Sequence, residues 1–88
     1  MHEKTNILIV DDHKMFLDGV TRILTDEPEI SIVGSLTDST KVADLLLEHA
    51  VDVLITDVEM PGLNGAKLCQ LAKELSPQTK VMVVSMHD

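Results

Sequence analysis

Asp11 and Asp12 follow directly on an apolar run at 7–10, and Asp57 follows, after Thr56, on a run that ends at Ile55. Ser85 follows a further such run at 81–84. Carboxylates gathered at the ends of apolar runs repel one another, and a bound hard cation removes that cost. Mg²⁺ is the ion these donors predict, because it prefers carboxylate, carbonyl and water oxygens and accepts phosphate oxygens as further ligands. Taken singly, each acid reads as an ordinary Asp at a strand end or helix start. Taken together with Ser85, their placement points to one site.

Such a site needs elements that bring the run ends together. Four runs rich in Val and Ile, at 7–10, 30–33, 51–55 (interrupted by Asp52) and 81–84, lack polar alternation and predict strands buried on both faces of a parallel sheet. Helical stretches separate them. The first runs from Lys14 to Thr25, with Phe16, Val20, Ile23 and Leu24 on one face, and stops at Glu27-Pro28-Glu29. The second runs from Ser39 to His49, capped by Asp38 or Ser39, with Val42, Leu45 and Leu46 on one stripe. The third runs from Gly65-Ala66 to Leu75, with Leu68, Leu71, Ala72 and Leu75 inward and Cys69 beside them, before Ser76-Pro77. The order βαβαβαβ predicts an α/β fold, a doubly wound parallel sheet with right-handed crossovers. Ligands of such sheets sit beyond the C-terminal strand ends, where the strand order reverses. With strands one and three as neighbours, as in the order 2-1-3-4-5, Asp11, Asp12 and Asp57 converge there.

Composition narrows the function. The chain has 88 residues, 15 acidic against 7 basic, a formal net charge of −8, and reads as one domain over 1–88. It is 44% hydrophobic with one Phe and no Trp or Tyr, so its core is aliphatic and it offers no aromatic platform for bases. The acidic balance speaks against direct nucleic-acid binding and against anionic lipid. Cys69 stands alone, which fits a reducing compartment. The N-terminus lacks the basic start and apolar stretch of a secretory signal, and no run approaches the ~20 apolar residues of a membrane helix. The expected location is cytoplasmic, with no membrane partner. His2, His13, His49 and His87 offer no i, i+4 pair and are set aside as metal ligands, His49 being read as a partner of a helix C-terminus. Gly62 and Gly65 with Lys67 lack the glycine frame of a P-loop and read as turn residues.

The segments Ile7-Leu8-Ile9-Val10-Asp11-Asp12-His13 and Val53-Leu54-Ile55-Thr56-Asp57, with Met60-Pro61-Gly62 followed by Gly65, together resemble the receiver domains of two-component response regulators. His13 after the Asp pair and Ser85-Met86-His87-Asp88 are most similar to regulators that carry a helix-turn-helix DNA-binding domain. The resemblance implies a flavodoxin-like receiver fold. It implies that Asp57 accepts a phosphoryl group from a sensor histidine kinase or a small phosphodonor. Asp12 would then ligate Mg²⁺ directly, Asp11 would act mainly through metal-bound water, and Asp57 with the backbone carbonyl of Glu59 would complete the protein ligands. Ser85 takes the place of the switch hydroxyl that turns toward the phosphoryl oxygens. The product is a mixed anhydride with about two added charges at the strand ends, able to reorient Ser85 and the loop after strand four. On this reading the chain is a signalling module, not an enzyme, and its output is transcription regulation by a DNA-binding domain outside the chain.

The resemblance ends after strand four. The family's fourth helix, fifth strand with its Lys, switch aromatic and fifth helix have no counterpart, and Lys80 before strand four is no substitute. Absence of one such charge donor commonly costs on the order of 3 kcal/mol of transition-state stabilisation, slowing phosphorylation without abolishing it. Each uncovered aliphatic side chain forfeits roughly 1.5–3 kcal/mol, so about five approach ~10 kcal/mol. That rivals the ~5–15 kcal/mol stability of an ordinary domain. The expectation is self-association through the uncovered sheet face and the unpaired edge of strand four. Met86, where the family often has Ala or Gly, either restricts access to Asp57 or fills the core. Glu59 bears on how water attacks the acyl phosphate. Two other readings compete. An aspartate-nucleophile phosphatase of the haloacid dehalogenase type needs Asp-x-Asp, whereas the run here is Asp57-Val58-Glu59. A non-phosphorylated interaction or dimerisation module on the same scaffold is the alternative, marked by partner binding that Asp57→Asn leaves intact.

Overall fold

The computed structural model describes residues 4–57 and 65–84, apart from the side chains of Ser39, Asp57 and Gly65. In chain order these form β1 (Thr5–Val10), α1 (Lys14–Thr25), β2 (Ile30–Leu36), a 3-10 turn (Ser39–Lys41), α2 (Val42–Glu48), β3 (Val53–Asp57), α3 (Gly65–Leu75) and β4 (Lys80–Val84). The strands make one sheet in the order β2-β1-β3-β4, every pair parallel. This is the doubly wound arrangement that the alternation of runs predicts, with β1 and β3 adjacent at its centre.

The pleat sends alternate side chains of β1 to two different cores. Ile7 and Ile9 pack with Leu17, Val20 and Leu24 of α1 and with Val53 and Ile55 of β3. Leu8 and Val10 pack on the other face with Val42 and Leu46 of α2, Leu54 of β3, and Leu68 and Ala72 of α3. Helices therefore cover both faces, which is why the central strands carry no polar alternation.

Three details depart from the pattern in the sequence. On α1 the buried residue is Leu17, while Ile23 is 68% exposed; the helix turns its 17-20-24 row to the sheet and leaves position 23 outside it. Strand β3 starts at Val53, not at 51. Val51 is buried but precedes the strand, and the Asp52 carboxylate takes the Asn6 N–H at 2.7 Å, the donor a further ladder carbonyl would have taken. Strand β2 runs on to Leu36 because a bulge absorbs Val33: Ile7 pairs with Ile32, but Leu8 pairs with Gly34. Gly34 then faces α2, where an added Cβ would stand 2.9 Å from Leu45 Cδ1 and 3.1 Å from Leu8 Cδ1. A glycine here lets α2 settle closely on the sheet.

Short polar links set the connections. The Asp38 carboxylate accepts from the Thr40 hydroxyl at 2.7 Å and the Thr40 N–H at 3.0 Å, opening the turn into α2. The Thr40 hydroxyl, then its N–H, holds the Asp38 carboxyl below the usual carboxylate range. This cap is therefore present at neutral pH and lost only as pH falls through that lowered value. Between α3 and β4, the buried Ser76 and Thr79 hydroxyls lie 2.6 Å apart, and Thr79 Oγ1 donates to the Val51 carbonyl at 2.6 Å. That link fixes the start of β4 beside β3. Among the described residues β4 pairs only with β3, and its Met82 and Val83 are 53% and 45% exposed.

Candidate functional site

The acids take their place from the sheet register. Val10 lies beside Thr56, so the chain leaves β1 at Asp11 alongside the point where β3 reaches Asp57. Asp57 in turn pairs with Val84, the residue before Ser85. The backbone thus brings 11, 57 and 84 to one end of three adjacent strands. The Asp11 N–H donates to the Leu36 carbonyl at 2.9 Å, which continues the ladder toward β2 and pins Asp11 one residue past the strand.

Asp11 is buried, at 1% exposure, and its Oδ1 accepts the His13 N–H at 2.8 Å. The His13 ring Nδ1 lies 2.9 Å from that oxygen and 3.1 Å from Asp12 Oδ1. Asp11 Oδ2 is buried with no hydrogen-bond partner. A buried carboxylate oxygen without a partner is costly, and it calls for a cation or water that satisfies it. His13 is also the N-cap of α1, in extended conformation and without a capping side-chain bond, so the positive end of the helix dipole lies just beyond the acids. Candidate ligand atoms of Asp11, Asp12 and His13 lie within 4.8 Å of one another. Hard oxygens, an orphaned buried oxygen and this spacing together fit a divalent cation.

Of the residues singled out in the sequence, the structure places Asp11 and Asp12 together and puts the backbone of Asp57 beside them. The side chain of Asp57 lies outside the described residues, as do Glu59, the Met60-Pro61-Gly62 segment, Ser85, Met86, His2 and His87. The residue that sequence reasoning set aside is His13. A search for helical i, i+4 pairs passes over it, because it meets the acids through a tight turn in which three consecutive residues converge; the signal was its adjacency to the Asp pair. An open concavity of about 450 Å³, lined by Lys4, Asn6, Ser31, Ala50 and Asp52, lies at the other, N-terminal ends of the strands and shares no residue with the acidic cluster.

The model of the response regulator receiver domain family matches residues 7–88. The chain belongs to this family. The receiver is 38% identical over 85 residues to the transcriptional regulatory protein DegU of Brevibacillus brevis, covering 97% of the chain and 36% of DegU. Among solved structures it is similar to the signal receiver domain of the response regulator NarL from Mycobacterium tuberculosis, with a TM-score of 0.87 and 32% identity over 98% of this chain and 69% of that one. It is also similar to the isolated receiver domain of RcsB from Salmonella enterica serovar Typhimurium with the phosphomimetic BeF3⁻, with a TM-score of 0.86 and 31% identity over 98% of this chain and 64% of that one. The chain spans well under half the length of DegU. Membership fixes the scaffold as a receiver rather than a dehalogenase-type phosphatase. No helix among the described residues is long and apolar enough to cross a membrane.

Proposed function

We propose that this chain is the N-terminal part of a receiver domain, over 1–88, that accepts a phosphoryl group on Asp57 in the cytoplasm. The donor is a sensor histidine kinase or a small phosphodonor. The observation that carries this reading is the register that sets Asp57 beside Asp11 at the C-terminal end of the sheet. The RcsB relative, studied with a phosphomimetic, supports the same reading.

The chemistry asks little of the protein beyond placement. A carboxylate oxygen of Asp57 attacks phosphorus, the bond to the donor's leaving group breaks, and the leaving group departs with that electron pair. Asp12, Asp57 and the Glu59 carbonyl would hold Mg²⁺, with Asp11 acting through water, and the bound ion would supply neutralisation of phosphoryl charge. Buried Asp11 places a carboxyl group at the strand ends, and α1 directs its positive end there. Ser85, one residue past the partner of Asp57, supplies the hydroxyl that answers the new charge. The output is transcription regulation through a DNA-binding domain outside this chain, as the name of DegU suggests.

Incubation with acetyl phosphate and Mg²⁺ is expected to add one phosphoryl group by intact mass. The adduct disappears with chelator and in Asp57→Asn. An adduct that survives either change refutes the assignment. The exposed Met82 and Val83 on β4 also lead us to expect self-association of this 88-residue chain through that edge and the adjoining face. Light scattering reads this directly, and a folded monomer at high concentration would count against it.

A further inference from the structure

We propose that the concavity at the N-terminal ends of β1, β2 and β3 binds a small zwitterion of the α-amino-acid class, with Lys4 and Ser31 holding its carboxylate and Asp52 its ammonium. The cavity has a volume of about 450 Å³ and is lined by Lys4, Asn6, Ser31, Ala50 and Asp52. That volume lies within the range of small-molecule sites. The proposal stands apart from phosphoryl transfer, since the cavity lies at the opposite end of the sheet from Asp11 and Asp57.

The strand pattern makes the floor of the cavity polar. Leu8 and Val10 of β1 enter the core shared with α2 and α3, and the pleat puts Asn6 on that same face. The face therefore turns from apolar to polar at Asn6, and Ser31, which pairs with Asn6, carries the polar floor onto β2. On the β3 side, reciprocal bonds fix it. Asn6 Nδ2 donates to the Ala50 carbonyl at 2.7 Å, the Asn6 N–H donates to Asp52 Oδ2 at 2.7 Å, and the Asp52 N–H donates to the Asn6 carbonyl at 2.8 Å. The Lys80 N–H closes the set on the Asp52 carbonyl at 2.9 Å. These bonds commit Asp52 Oδ2 and the Asn6 amide nitrogen. Among the described residues they leave Asp52 Oδ1, the Ser31 hydroxyl and the Lys4 ammonium without a protein partner.

The free groups are set apart across the cavity. Ser31 stands on the β2 flank of Asn6 and Asp52 on the β3 flank. Two strand spacings of about 4.8 Å separate those flanks by about 9–10 Å. An α-amino acid places its nitrogen about 2.5 Å from its carboxyl carbon. With the carboxylate oxygen and a charge-assisted hydrogen bond of about 2.8 Å at each end, such a ligand reaches about 8–9 Å. Lys4 and Asp52 line the same cavity yet make no ion pair with each other, which leaves both charges to a ligand. A simple anion or cation satisfies one flank only, whereas a zwitterion gains from both. The cavity is open, so water screens both contacts and the expected affinity is millimolar.

The test is a titration of the isotope-labelled chain with glycine, followed by two-dimensional NMR, with acetate and methylammonium as single-charge probes. Glycine is expected to give saturable shifts of the Asn6, Ser31 and Asp52 amide signals and to bind about tenfold more tightly than either probe. Lys4→Met and Ser31→Ala remove side chains that make no bond to the rest of the described chain, so the fold is kept, and unchanged signals away from the cavity verify this. Each is expected to weaken glycine binding about threefold, and the double variant is expected to bind glycine no better than methylammonium. Lys73→Met, which removes a charge that does not line the cavity, is expected to leave glycine binding unchanged. Shifts that never saturate, an equal response to acetate or methylammonium, or unchanged glycine affinity in the double variant overturns the proposal. An equal loss in Lys73→Met also overturns it, because the effect would then follow net charge and not the cavity.

Discussion

Asp11→Asn is expected to make the metal-free chain more stable, by about 1–2 kcal/mol, and to weaken its hold on Mg²⁺ by roughly ten- to a hundredfold. The two effects have one cause. Asp11 is 1% exposed, its Oδ2 has no partner, and the adjacent Asp12 brings further negative charge close by. Asparagine keeps an oxygen to accept the His13 N–H and removes the buried charge. It also removes the charge that draws in the cation. Urea unfolding in chelator and an Mg²⁺ titration measure the two sides separately. Destabilisation by Asn would show that the carboxylate serves the turn at His13 and is not held in reserve for an ion. A site that trades stability for a poised charge is the usual bargain at functional positions.

Leu8→Ala is expected to cost about 3–5 kcal/mol, a large share of the ~5–15 kcal/mol available to an ordinary domain. For a chain of this size that lowers the melting temperature by roughly 15 °C or more. Leu8 is fully buried on the second residue pair of β1 with β3, between Leu54 and the α2 and α3 side chains, and it also meets the close approach at Gly34. No rearrangement fills that space cheaply, because both flanking strands are fixed by their ladders. Ile23→Ala is the contrast, since at 68% exposure it should change stability by less than about 0.5 kcal/mol. Thermal melts of the two variants decide it, and similar losses at both positions would mean that α1 packs through a different face. β1 and β3 carry Asp11 and Asp57, so Leu8→Ala should also slow labelling in proportion to the unfolded fraction.

The fold was legible where one physical rule governs. The uninterrupted Val and Ile runs marked the strands, though burial on both sides holds for β1 and not for β4, whose Met82 and Val83 are 53% and 45% exposed. The adjacency of β1 and β3 followed from the doubly wound order. The bounds of α1 and α3 were legible because Pro28 and Ser76-Pro77 end them. Legibility failed where two rules compete. Leu17 and Ile23 are both apolar, and which one faces the sheet depends on the rotation of α1, which its own periodicity leaves open by a residue. Val51 reads as strand, but the Asp52 carboxylate supplies the acceptor that would have extended the ladder. The bulge at Val33 leaves no mark in the sequence until Leu8 is seen to pair with Gly34. At the site, the acids were legible from their positions after apolar runs. His13 was not, because its approach to Asp11 and Asp12 is made by a turn and has no periodic signature.

The central claim is that Asp57, and not its acidic neighbours, takes the phosphoryl group. The most direct measurement is borohydride trapping after reaction with acetyl phosphate and Mg²⁺, which reduces an acyl phosphate to the corresponding alcohol, followed by mass mapping of the peptides. The prediction is homoserine at position 57 alone, in amounts that fall when Mg²⁺ is chelated. Homoserine at Asp11 or Asp12, or an unmodified Asp57 in a folded chain that has bound Mg²⁺, would contradict it.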